Sequence, residues 1–126
     1  MIRQSENELP TILIIDDDSD IVDFLRDLLK MEGYEVMVTI KGDEVEQFQR
    51  RELPDLILLD VFLSGKDGRE IVAFLKQKEE TRHIPVIMFS AYAQTEETAR
   101  QAGANDFVSK PFDLEVFLTK VRNLLE

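Results

Sequence analysis

Apolar residues recur along the chain in short runs of strand length. Three of them are unbroken: Ile12-Leu13-Ile14-Ile15, Leu56-Ile57-Leu58-Leu59 and Val86-Ile87-Met88-Phe89. Continuous rather than alternating hydrophobicity predicts strands covered on both faces, as in a parallel sheet. Shorter runs at Val36-Met37-Val38 and Phe107-Val108 suit the edges of the same sheet.

Between these runs the apolar spacing changes to the helical period. Ile21, Leu25, Leu28 and Leu29 share one face after the capping candidates Ser19 and Asp20, and Gly33 stands where a glycine would end that helix. A weaker second helix is expected from near Gly42, with Val45 and Phe48 facing inward. A third starts at Asp67, with Glu70 three residues on as in a capping box, and buries Ile71, Val72 and Leu75. The fourth, Thr95 to Ala102, has only alanines to bury and stops at Gly103. Leu114, Phe117, Leu118, Val121 and Leu125 give the fifth the clearest 3.6-residue period of all. Strand and helix thus alternate five times, which predicts an α/β fold: a doubly wound five-stranded parallel sheet with five helices on its two faces.

With 126 residues, 44% of them hydrophobic, the chain is expected to form one domain around one core. Residues 1–9 read as a flexible N-terminal lead-in to a domain over 10–126, since no apolar run there resembles a signal peptide or a membrane span. The formal net charge of -11 opposes contact with phosphate backbones and anionic membranes, so direct nucleic-acid or membrane binding is not expected. Without cysteine there is no disulfide framework or thiolate metal site, which is compatible with a cytoplasmic protein.

In open parallel sheets ligands bind outside the carboxyl ends of the strands. Here the first strand ends in Asp16-Asp17-Asp18, the third in Asp60, the fourth in Ser90-Ala91 and the fifth in Ser109-Lys110-Pro111. Taken singly each has a plain explanation: acids after a strand cap helices or begin turns, a serine does the same, and a lysine is a solvated charge. Taken together they place three carboxylates, a hydroxyl and an ammonium on one rim. Clustered carboxylates raise one another's pKa unless a cation compensates, and an open all-oxygen cluster suits Mg2+. Beside such a cation, one carboxylate can attack phosphorus while ammonium and hydroxyl share the charge of the phosphoryl oxygens, giving an aspartyl phosphate.

Four segments carry a specific resemblance: Ile14-Ile15-Asp16-Asp17, Leu58 to Gly68, Phe89-Ser90-Ala91, and Gly103 to Phe112. In order and spacing they resemble the receiver domain of bacterial response regulators, from Thr11 to Leu125. The resemblance implies the flavodoxin-like strand order 2-1-3-4-5. It makes Asp60 the phosphoacceptor, with Asp17 on Mg2+ directly, Asp16 directly or through water, and the Phe62 backbone carbonyl as the remaining protein ligand; Mn2+ is expected to substitute. Ser90 and Lys110 would hold phosphoryl oxygens, Ala91 would leave room for them, and Phe107 would turn inward with Ser90 as the switch pair. Lys110-Pro111 is often a cis bond in this family. Ser64 departs from the pattern, because the family commonly has proline there, and this bears on the rigidity of the loop after Asp60.

The implied function is a phosphoacceptor of a two-component phosphorelay, charged by a histidine kinase or a histidine phosphotransfer protein. It is a signalling domain rather than an enzyme, limited to self-catalysed phosphoryl transfer and slow autodephosphorylation. Bulky Phe62 and Tyr92, each two residues past a site residue, are candidate modulators of phosphate lifetime through shielding from water, or merely cover the rim. Phosphorylation would bias the face formed by the fourth helix, fifth strand and fifth helix, passing the signal to an effector, to a second copy, or to a segment outside this sequence. The rival readings are a receiver-shaped adaptor that never accepts phosphate, a haloacid-dehalogenase-like phosphohydrolase, and a flavodoxin-like FMN protein. The second usually has an acid where this chain has Phe62, and the third needs a Ser/Thr/Gly-rich loop where it has three aspartates. His83, the single histidine, reads as an exposed loop residue without metal-binding partners.

Overall fold

Each unbroken apolar run forms a strand buried on both sides because its alternate side chains face two separate helical layers. In the computed structural model, which describes residues 9–39 and 53–126, the strands of the main sheet are β1 (Thr11–Ile15), β2 (Glu35–Thr39), β3 (Leu56–Asp60), β4 (Val86–Ser90) and β5 (Asp106–Ser109). The described helices are α1 (Ser19–Met31), α2 (Gly68–Gln77), α3 (Glu96–Ala102) and α4 (Leu114–Leu125). All five strands are parallel, in the order β2-β1-β3-β4-β5. The helix expected near Gly42, with Val45 and Phe48, lies outside the described residues, as does most of the expected lead-in. The predicted fourth and fifth helices are α3 and α4.

Leu13, Ile15, Ile57, Leu59, Val86 and Met88 pack beneath Ile71, Val72 and Leu75 of α2 and Ala99 of α3. Ile12, Ile14, Leu56, Leu58, Ile87 and Phe89 pack beneath Val22, Leu25 and Leu29 of α1 and Phe117, Leu118 and Val121 of α4. At about 2 kcal/mol for each fully buried aliphatic side chain, these two layers dominate the stabilisation of the domain. β2 is the exposed edge, with Met37 and Val38 both partly in solvent.

The helix ends correct two expectations. The N-cap of α1 is Asp18, whose carboxylate accepts from the backbone N–H of Asp20 and Ile21, rather than Ser19 or Asp20. Leu114, expected on the inward face of the last helix, is 42% exposed at the first position of α4, where the core contact is made by Phe117 one turn on. Gly33 and Gly103 follow α1 and α3 with φ of 94° and 121°, the left-handed region that glycine adopts without strain. α3 is preceded by a 3-10 turn, Ala93–Thr95, and buries only Ala99.

Strand register sets the rim. Ile15 pairs with Leu59, Asp60 with Phe89, and Ser90 with Ser109. The residues that end or follow β1, β3, β4 and β5, namely Asp16, Asp60, Ser90 and Lys110, therefore arrive at one edge.

Candidate functional site

Asp16 is fully buried, and its two oxygens fare differently. Oδ1 accepts from the Asp18 N–H at 3.0 Å, while Oδ2 has no hydrogen-bond partner and meets the Lys110 ammonium only at 3.6 Å. Burial first, with the facing Asp60 charge adding to it, pushes the Asp16 carboxyl up to about 6, against the opposing pull of the Asp18 N–H and Lys110. Asp60, 8% exposed, accepts from the Phe62 N–H at 3.1 Å through Oδ1 and from Lys110 Nζ at 3.0 Å through Oδ2. One ammonium therefore serves both buried carboxylates. Lys110 also lies 4.9 Å above the Phe89 ring, donates its backbone N–H to the Ser90 carbonyl at 2.8 Å, and is joined to Pro111 by a cis peptide bond.

Ser90 is buried at the end of β4, its Oγ accepting from the Tyr92 N–H at 2.9 Å. Phe107 is buried, in the layer with Met88 and Ala104. Asp17 stands apart from the Asp16–Asp60–Lys110 group: its carboxylate is exposed and accepts from the Ser64 N–H at 2.7 Å. The Ser64 hydroxyl and N–H hold that carboxyl below the usual carboxylate range. Among the described residues no three acidic or histidine side chains converge as a ready-made metal cage. Mg2+ does not require one, since one or two carboxylates, a carbonyl and waters satisfy it, and the unpartnered buried Oδ2 of Asp16 fits a hard cation. His83 is exposed, in a turn.

Phe62 and Tyr92 form an exposed aromatic pair, edge to face at 5.6 Å. Sequence reasoning did not anticipate Arg69 beside them. Its guanidinium lies 5.3 Å from the Phe62 ring centroid, grips the Asp67 carboxylate through Nε and Nη2, and donates from Nη1 to Thr98 Oγ1 at 2.9 Å. Gly68 was equally unassigned, although it lies within the resembling segment. A Cβ there would overlap the carbonyl oxygen of Asp60, and its N–H donates to the Val61 carbonyl at 2.6 Å.

A five-stranded parallel sheet whose carboxyl edge gathers buried aspartates, a hydroxyl and a lysine places the chain among the CheY-like α/β domains. The family comparison agrees: the response regulator receiver domain model matches residues 12–122, and the chain belongs to that family. It is thus a receiver domain of two-component signalling, a signalling module rather than a conventional enzyme. It is 40% identical over 119 residues to the DNA-binding dual master transcriptional regulator RpaA of Synechocystis, covering 93% of this chain and 49% of that one. It is 37% identical over 117 residues to the polar-differentiation response regulator DivK of Brucella ovis, covering 91% and 95%. The chain therefore spans about half of RpaA and nearly all of DivK. Among solved structures, the receiver domain of a histidine kinase from Syntrophus aciditrophicus superimposes with TM-score 0.83 at 30% identity, covering 92% of this chain and 89% of that one. The response regulator TrrA of Thermotoga maritima, in complex with Mg2+-BeF, gives 0.82 at 28%, covering 93% and 100%.

Proposed function

We propose that the domain, taken as residues 10–126, accepts a phosphoryl group on Asp60 from a histidine kinase or histidine phosphotransfer protein in the cytoplasm, with bound Mg2+. The observation that carries this reading is the Asp16–Lys110–Asp60 arrangement, in which one ammonium spans two buried carboxylates and a carboxylate oxygen is left without a partner. Such an arrangement is costly for a fold and useful for phosphoryl chemistry.

Asp16, Asp17, Asp60 and the Phe62 carbonyl would hold the cation, with Mn2+ as a substitute. Bound there, it supplies positive charge that offsets the clustered carboxylates and the incoming phosphoryl oxygens. An Asp60 carboxylate oxygen forms the new P–O bond as the bond from phosphorus to the donor breaks and the donor leaves with its electron pair. Lys110 exchanges its contact with Asp60 for one with a phosphoryl oxygen, and the Ser90 hydroxyl takes another. Incubation with acetyl phosphate and Mg2+ should add one phosphoryl group by intact mass. Asp60→Ala or chelation should abolish the gain, and a wild-type chain that gains no mass would refute the reading in favour of an adaptor.

The Phe62–Tyr92 pair is read as a roof that keeps water from the acyl phosphate. Phe62→Asn and Tyr92→Ala should each speed loss of the phosphoryl group roughly threefold or more by readmitting water. Unchanged or slower loss in both variants would dismiss the roof. Output is assigned to the face of α3, β5 and α4, with Phe107 and Ser90 as the switch pair and an effector protein or a second copy as the recipient. Exposed Leu114 and Val116 lie on α4. Faster amide exchange across Thr95 to Ala102 on phosphorylation is the expected sign, because α3 is the most weakly buried described helix.

A further inference from the structure

Four neighbouring strands end in side chains that share one side of the sheet. Ile14, Leu58 and Val108 face the layer of α1 and α4 and stand two residues before Asp16, Asp60 and Lys110, so the two-residue period of a strand carries those three to the same side as Phe89. Phe89 is fully buried and pairs in register with Asp60. It is the uncharged member of this row of four, and its ring lies 4.9 Å from the Lys110 ammonium, within the range of a cation–π attraction. Phe112 stands edge to face with Phe89 at 5.7 Å and stacks on the buried Phe117 of α4 at 5.4 Å. The Phe89 ring is therefore held by its own strand and, through Phe112, by α4, whereas the lysine over it is a flexible four-carbon chain.

Phosphoryl transfer requires Lys110 to change partners. Its ammonium bonds to Asp60 Oδ2 at 3.0 Å, and only 18% of its side chain is exposed, so little water is at hand to solvate the charge between one partner and the next. Hydrogen bonds are directional and fail with small displacements, but attraction to a ring face acts out to about 6 Å and survives sliding across it. We infer that Phe89 is a positioning residue for phosphoryl transfer: its ring face holds the Lys110 ammonium while that group passes from Asp60 to a phosphoryl oxygen. The inference rests on the phosphoacceptor reading above. Lys110 keeps its proton throughout; the Asp60 oxygen supplies the electron pair of the new P–O bond, and the donor leaves with the pair of the old one. An aliphatic side chain at position 89 would fill the same layer without attracting the charge, so it would slow the reaction rather than abolish it.

Site-specific replacement of Phe89 by mono-, tri- and pentafluorophenylalanine tests this, because fluorine drains negative charge from the ring face with little change of shape. The readout is the rate of phosphoryl gain by intact mass at saturating acetyl phosphate and Mg2+. The rate should fall stepwise along the series to about fivefold below wild type for the pentafluoro ring. The same series at Phe117, over which no cation lies among the described residues, should stay within about twofold of wild type. A flat or rising rate at Phe89 overturns the inference and leaves the phosphoacceptor reading intact, and equal falls at both positions make the effect one of packing and overturn it too. A wild-type chain that gains no phosphoryl group sinks the underlying reading and this role with it. In the metal-free chain the ring current of Phe89 should move the Lys110 ε-methylene protons upfield, and Phe89→Leu should return them; ordinary positions in the wild type would refute the contact. If the pentafluoro variant does not fold by circular dichroism, the mono- and trifluoro rates and this proton shift decide.

Discussion

Asp16→Asn is expected to stabilise the metal-free protein by about 2 kcal/mol near neutral pH and to have almost no effect below about pH 4. The buried Asp16 carboxyl ionises at about 6 in the folded chain and near 3.8 when unfolded. Between those values the folded state binds more protons than the unfolded state, so stability is highest at low pH and falls as pH rises through the folded pKa. Above it the cost of keeping a buried anion is constant, at most about 3 kcal/mol for a displacement of about two units. Asparagine removes the charge but still buries an amide, which reduces the gain. Urea unfolding of both proteins across this range in chelator-containing buffer is the measurement. A difference that does not vary with pH would show that Asp16 carries no such penalty. Added Mg2+ should narrow the gap by stabilising the wild type through binding.

Gly68→Ala should be the most damaging of the small substitutions, lowering stability by at least about 3 kcal/mol and the unfolding midpoint by roughly 10 °C. The new methyl would overlap the Asp60 main-chain oxygen and crowd Met88 Cε and the Val61 oxygen, both 3.1 Å away. Two of these three neighbours are backbone and cannot rotate aside, so relief requires moving the end of β3 or the start of α2. The first shift displaces the Asp60 carboxylate, and phosphorylation should then fall with stability. Gly65→Ala is the control: nothing lies within 4 Å of its new methyl, and only the positive φ is strained, costing about 1 kcal/mol. Equal unfolding midpoints for the two variants would mean that α2 and β3 can separate freely, contrary to their packing.

The three central strands were legible because strands covered on both faces leave an unbroken apolar signature, and the convergence of Asp16, Asp60 and Lys110 followed from their places at strand ends. Other features were hidden for physical reasons. Asp18, Ser19 and Asp20 are all good caps, and the one that serves is Asp18, whose own N–H is held by the buried Asp16 carboxylate two residues earlier. α3 has almost no apolar stripe, so its 3-10 entrance left no periodic trace. Leu114 obeys the helical period yet is the first residue of its helix, and it stays exposed while Phe117 one turn on is buried. The Asp17–Ser64 and Arg69–Thr98 bonds join loops and helix ends 47 and 29 residues apart, and no local spacing encodes such pairs.

Arg69 gives the Phe62–Tyr92 aromatic pair a mechanical partner. The same planar group that rests on Phe62 is bolted at one end to Asp67 and at the other to Thr98 on α3. Sliding α3 by much more than about 0.5 Å away from it carries the Thr98 hydroxyl beyond hydrogen-bonding reach and frees one arm of the guanidinium. The exposed Phe62–Tyr92 pair and α3 are thereby geared together through a single side chain, so a displacement of α3 is also felt at the rings.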